Sequence, residues 1–112
     1  MVHEQVFPFD LTTRGPYAIV RARGELDMTA VADMRTAVWR AARRASHVVV
    51  DLRLVTFMDT FALHALVGLQ KEADTAADRS FHVAPGPGMQ RLLDLTGVRA
   101  ELRWTSPEQL PD

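Results

Sequence analysis

Asp59 and Thr60 are the residues of this sequence best placed to carry a chemical event. A carboxylate and a hydroxyl stand side by side there among Phe57, Met58, Phe61 and Leu63. A hydroxyl can take a phosphate, and a neighbouring carboxylate can cap a helix or help a partner read the loop. One modifiable group in a large apolar surround suits a switched docking surface better than a reaction centre. Asp51 and Asp59 flank an apolar turn and have no substrate pocket or histidine attached to them by spacing. They do not assemble as general acid and base, so no catalytic residue and no enzyme activity are expected.

Metal and cofactor chemistry find little support. Cysteine is absent, which removes disulfides, thiol nucleophiles and thiolate ligands together. His64 has no partner at metal-ligand spacing, and His3, His47 and His82 fall on separate predicted elements, so His64 reads as a surface imidazole. The run Pro85-Gly86-Pro87-Gly88 lacks the lysine and following hydroxyl residue of a phosphate-cradling loop and reads as a tight turn. No metal and no cofactor are expected.

The elements that must position Thr60 follow from hydrophobic spacing. Residues 6–11 place Phe7, Phe9 and Leu11 on one side of a first strand, with Pro8 arguing for a sheet edge. After a turn at 13–16, residues 17–23 alternate Ala18, Val20 and Ala22 against Ile19, Arg21 and Arg23, a strand with one wet face. Asp27 or Thr29 can cap a helix carrying Val31, Met34, Val38 and Ala42 at helical spacing, ending near residue 45. Val48, Val49 and Val50 form the uniformly apolar, β-branched core of a central strand covered on both faces. A turn centred on residues 57–60 leads into a second helix over 60–76. A strand over 80–84, a helix from Met89 closed by Gly97, a strand over 101–104 and a short terminal helix from Ser106 complete the pattern.

Three segments in this order resemble one family. Phe57-Met58-Asp59-Thr60-Phe61-Ala62-Leu63 is similar to the Phe-Met-Asp-Ser-Ser-Gly-Leu signature of STAS-domain anti-sigma factor antagonists. Gly24-Glu25-Leu26-Asp27 is similar to that family's Gly-Glu-Leu-Asp, and MQRLLDLTGV, residues 89–98, to its late helix. The alternating elements by themselves argue for an α/β sandwich. The resemblance selects the STAS fold, a mixed β-sheet with helices packed mainly on one face, over residues 1–112 as a single domain.

What the resemblance implies for function is a regulatory protein acting by occupancy. Thr60 matches the serine that a partner anti-sigma kinase phosphorylates, and the partner is an anti-sigma factor with serine-threonine kinase character. The implied contact surface comprises Asp27, Met58, Asp59, Thr60, Phe61, Leu63 and His64. Phe61, Ala62 and His64 depart from the family's small residues and should build a bulkier surface of different selectivity. Successive residues turn by about 100° around a helix, so Phe61, Leu63 and His64 cannot all face the sheet. Read from residue type alone, Thr60 is an ordinary N-cap, a role compatible with phosphorylation. Two other functions fit the same elements: a constitutive STAS accessory subunit of a transporter ATPase, with Thr60 structural, and a nucleotide or small-ligand sensor using helix N-termini and the Gly86 loop.

Composition bounds the rest. At 112 residues and 47% hydrophobic content the chain can enclose one core. A formal net charge of -1 with 13 scattered basic residues argues against nucleic acid or an anionic membrane as partner. Only Arg40, Arg43 and Arg44 cluster, at the expected end of the first helix, where cations complement the helix dipole. No cationic and apolar leader opens the sequence, and no run reaches the roughly 18 apolar residues of a membrane span. A cytoplasmic protein is expected, and homo-oligomerisation is not called for.

Overall fold

The structure, a computed structural model, describes residues 2–106. Five strands form one mixed sheet in the order β1-β2-β3-β4-β5. Strands β1 (Val2–Val6), β2 (Phe9–Arg14) and β3 (Tyr17–Leu26) are antiparallel neighbours, and β3, β4 (His47–Met58) and β5 (Ser80–Ala84) run parallel. Parallel neighbours require crossovers. These contain α1 (Val31–Ala42) between β3 and β4, and α2 (Thr60–Asp74) between β4 and β5. A short α3 (Gln90–Thr96) follows β5 and ends at Gly97, whose φ of 72° is the left-handed conformation glycine adopts freely. A mixed sheet with its helices gathered over one face is the arrangement expected.

The expected first strand over 6–11 is instead a hairpin. Val6 pairs with Phe9, leaving Phe7 and Pro8 as the turn. Proline has no N–H for a ladder, so it is better accommodated in the turn than within a strand. Phe9 and Leu11 do share the core face, but Phe7 is 79% exposed.

One apolar cluster unites the helices with the inward residues of the sheet, including Leu11, Val20, Val50, Met34, Leu66 and Leu93. Val48, Val49 and Val50 are all buried, as expected of a central strand. Val49, however, belongs to a separate small cluster with Ile19 and Ala84 on the other face of the sheet.

Both long helices end earlier than the sequence pattern extends, at Ala42 and Asp74 rather than near 45 and 76. Arg40 in the last turn of α1 and Arg44 just past it both reach Glu4 of β1, so two members of the basic cluster tie the helix end to the edge strand. In place of a strand over 101–104, residues Arg99–Glu101 form a 3-10 turn and Trp104 makes a single parallel bridge to Val83. The helix expected from Ser106 onward lies outside the described residues.

Candidate functional site

The end of β4 determines where Thr60 stands. Strand β4 continues through Met58, beyond the point where a turn was expected. It does so with two surplus residues. Between the pairs Arg21 with Asp51 and Arg23 with Leu54, β3 advances two residues while β4 advances three. Between Gly24 with Val55 and Glu25 with Phe57, β3 advances one and β4 two. Each extra residue is a bulge that re-aims the following side chains. Leu52, Val55 and Met58 therefore all enter the core although they are spaced by three, and Phe57 is turned outward at 50% exposure.

Asp51 fastens the first bulge. Its carboxylate is buried, and one oxygen accepts from the Arg53 backbone N–H at 3.1 Å and from Arg53 Nε at 2.9 Å. The other accepts from Arg21 Nε and Arg53 Nη2, each at 2.8 Å. Burial pushes this carboxyl upward, but the hydrogen bonds from Arg53 and then Arg21 outweigh it, and the net shift is below the usual carboxylate range. The group is a structural anchor.

Asp59 follows the strand and is the N-cap of α2. Its Oδ1 accepts from the Ala62 N–H at 2.9 Å, and its Oδ2 accepts from the Met28 N–H at 2.9 Å. The Asp59 N–H in turn donates to the Leu26 carbonyl at 3.0 Å. One side chain thus joins the start of α2 to the turn that follows β3. Asp27 plays a parallel role for the 3-10 turn Met28–Ala30, accepting from the Thr29 N–H at 2.9 Å and from its hydroxyl. Those bonds, led by the hydroxyl, hold the Asp27 carboxyl below its usual range. Asp27 caps this turn and leaves α1, whose N-cap is Ala30, without a side-chain cap.

Because Asp59 does the capping, Thr60 does not. Thr60 is the first helical residue, exposed, and its hydroxyl takes no hydrogen-bond partner among the described residues. The N-cap role expected of it from residue type is therefore corrected. Three large apolar side chains stand exposed around this turn: Met28 at 60%, Phe57 at 50% and Phe61 at 59%. His64, one helical turn on, is exposed too.

Two of the expected contact residues point the other way. Met58 and Leu63 are buried in the core, at 3% and 0% exposure, because the bulged strand and the inner stripe of α2 carry them there. They support the surface from beneath and are not available to touch a partner. Ala62, at a family position usually held by glycine, is likewise buried at 1%. Met28 was not among the expected contacts. Its only sequence signal was adjacency to Asp27.

The Pro85-Gly86-Pro87-Gly88 turn packs on the backbone of β4. A Cβ on Gly86 would lie 1.8 Å from the Leu52 carbonyl oxygen. The close approach of two backbones accounts for glycine there.

Residues 8–108 match the family model for the STAS domain. The chain belongs to the STAS domain family. Among STAS relatives it is similar to an anti-sigma F factor antagonist from Lysinibacillus sphaericus, with 25% identity over 108 residues, covering 95% of this chain and 92% of that protein. The crystal structure of an anti-sigma factor antagonist from Mycobacterium paratuberculosis superposes with a TM-score of 0.74 at 23% identity, over 88% of this chain and 84% of that one. The Bacillus cell fate determinant SpoIIAA in its phosphorylated form gives 0.63 at 22% identity, over 90% and 94% of the two chains. The STAS fold expected from the three sequence segments, a mixed sheet with helices packed mainly on one face, is the one observed. No helix among the described residues is long and apolar enough to cross a membrane.

Proposed function

We propose that this STAS domain binds an anti-sigma factor with serine-threonine kinase activity through the turn around Asp59 and the first turn of α2, and that phosphorylation of Thr60 releases it. The observation that carries this reading is the Thr60 hydroxyl, exposed and uncommitted beside the exposed Met28, Phe57 and Phe61. The similarity to anti-sigma factor antagonists supports the choice of partner. So does SpoIIAA, a structural neighbour solved in phosphorylated and unphosphorylated forms.

The switch is electrostatic. A phosphate on Thr60 adds about -1.5 to -2 charges at the centre of an apolar contact, next to the Asp59 carboxylate. A partner seated on Met28, Phe57 and Phe61 must then desolvate or expel that charge. Each 1.4 kcal/mol or so of penalty weakens binding about tenfold, so a few kcal/mol separate bound from free. The modified domain itself stays folded, because the phosphate lies at the positive end of the α2 dipole. Docking involves Thr60, Phe61, His64 and the exposed edges of Asp27 and Asp59, with Met28 and Phe57 extending the surface.

Incubating the protein with the candidate kinase and ATP and mapping the product by mass spectrometry tests the switch. Modification at Thr60 is expected. Exclusive labelling elsewhere, or none with a partner that binds, defeats it. In pull-downs, Thr60→Ala should retain the partner and Thr60→Glu should lose it.

A further inference from the structure

A second feature lies at the far end of β4 from Thr60. Where β4 and β5 begin, the final turns of α1 and α2 leave a cavity of about 150 Å³. Its walls are apolar, with Val38, Val48, Leu69 and Phe81 buried at its base and Trp39 at its mouth, 53% exposed. An apolar cavity of about this volume is large enough to hold a benzene ring.

Three polar side chains line it, and two are already engaged. Glu72 accepts from Arg35 at 3.4 Å, and the Ser80 hydroxyl lies 2.6 Å from His47 Nδ1. The third, Arg79, makes no side-chain hydrogen bond or ion pair among the described residues. A hollow adjoining the mouth shares Arg79 and adds Arg43, whose side chain also makes no hydrogen bond or ion pair among the described residues, and Arg44, which is held by Glu4. Asp78 is the one carboxylate in that hollow, so positive charge is in excess at the rim. An apolar chamber with an uncommitted guanidinium at its entrance selects for a molecule with a greasy body and an anionic head.

We propose that this cavity binds a small monocarboxylic acid with an aromatic or short aliphatic body. The body lies against Val48, Leu69 and Phe81, and the carboxylate pairs with Arg79. Neither the turn at Asp59 nor its partner is involved, so this site stands or falls independently of the docking surface.

Calorimetric titration of the full chain with phenylacetate and hexanoate tests the proposal, with benzyl alcohol and phenethylamine as comparators. The acids should bind saturably with a Kd of about 0.1–1 mM, a range set by their roughly ten heavy atoms. The alcohol should bind more weakly and the amine least. Arg79→Gln should weaken the acids about tenfold and remove their advantage over the alcohol. Ala73→Phe, which fills the cavity from α2, should abolish binding. Ala76→Leu fills it from the neighbouring wall and decides the matter should the first variant fail to fold. Absence of saturable binding by either acid up to about 10 mM overturns the proposal. Equal affinity for acid and amine, or acid binding unchanged in the folded cavity-filling variant, does so as well.

Discussion

Replacing Asp59 by alanine separates the capping assignment from the one that residue type alone suggests. The variant removes two hydrogen bonds, one to the Ala62 N–H and one to the Met28 N–H, both at 2.9 Å. Loss of an N-cap costs about 0.5–2 kcal/mol. The bond to Met28 joins segments 31 residues apart in sequence, and a hydrogen bond of this kind contributes about 0.5–1.5 kcal/mol. Together they give about 1–3.5 kcal/mol. For a domain of this size about 1 kcal/mol corresponds to about 4 °C in Tm, so a fall of about 4–14 °C is expected. Thr60→Ala removes a hydroxyl without an intramolecular partner and should change stability by less than about 0.5 kcal/mol. Asp59→Asn retains one acceptor for Ala62 and should fall between the two. Urea unfolding of the three variants measures the differences directly, provided their m-values agree. If Thr60→Ala proves as damaging as Asp59→Ala, the hydroxyl is the cap, Thr60 is committed to the fold, and the argument for an open phosphoacceptor collapses.

Asp51→Ala strands two guanidinium groups beside a buried site and should cost about 2–4 kcal/mol by chemical denaturation. The Asp51 carboxyl is held below its unfolded value, so its contribution is complete above about pH 4 and is lost as pH falls through the lower, folded value. Acid titration of stability should therefore be shallower in Asp51→Asn than in the wild type over that window. Gly86→Ala forces a methyl group against the Leu52 carbonyl and should reach or exceed the upper end of the about 1–3 kcal/mol typical of overpacking, read as a loss of Tm or of soluble protein. Phe61→Ala should leave stability within about 0.5 kcal/mol while weakening partner capture tenfold or more, measured by surface binding to the anti-sigma factor.

Much of this architecture was legible because local signals agreed with each other. The β-branched run Val48 to Val50, the strand at 80–84 and the glycine after α3 were readable from period and turn chemistry. Phe7 departs from the expected strand because a two-residue hairpin turn keeps apolar alternation nearly intact across itself, so periodicity alone cannot see the reversal at Pro8. For Met58 and Leu63 the reason is different. Adjacency to Thr60 in sequence is not adjacency on the surface: the bulges in β4 turn Met58 inward, and the inner stripe of α2 carries Leu63 into the core. No residue type announces a bulge in the run from Leu52 to Phe57. The division of labour between Asp59 and Thr60 was also hidden, since either side chain is a suitable cap and only the backbone geometry chooses.

The two surplus residues of β4 are slack held outside its alternation. Removing one residue from either outward pair, Arg53-Leu54 or Thr56-Phe57, would return that stretch to plain in-and-out alternation and leave Val55 and Met58 facing the core opposite β3. A deletion in the regular run Val48 to Val50 meets no such slack and would exchange the faces of the residues on one side of the cut. Length changes should therefore be tolerated at the two bulges and rejected in the run before them, and the aim of Thr60 survives only the first kind.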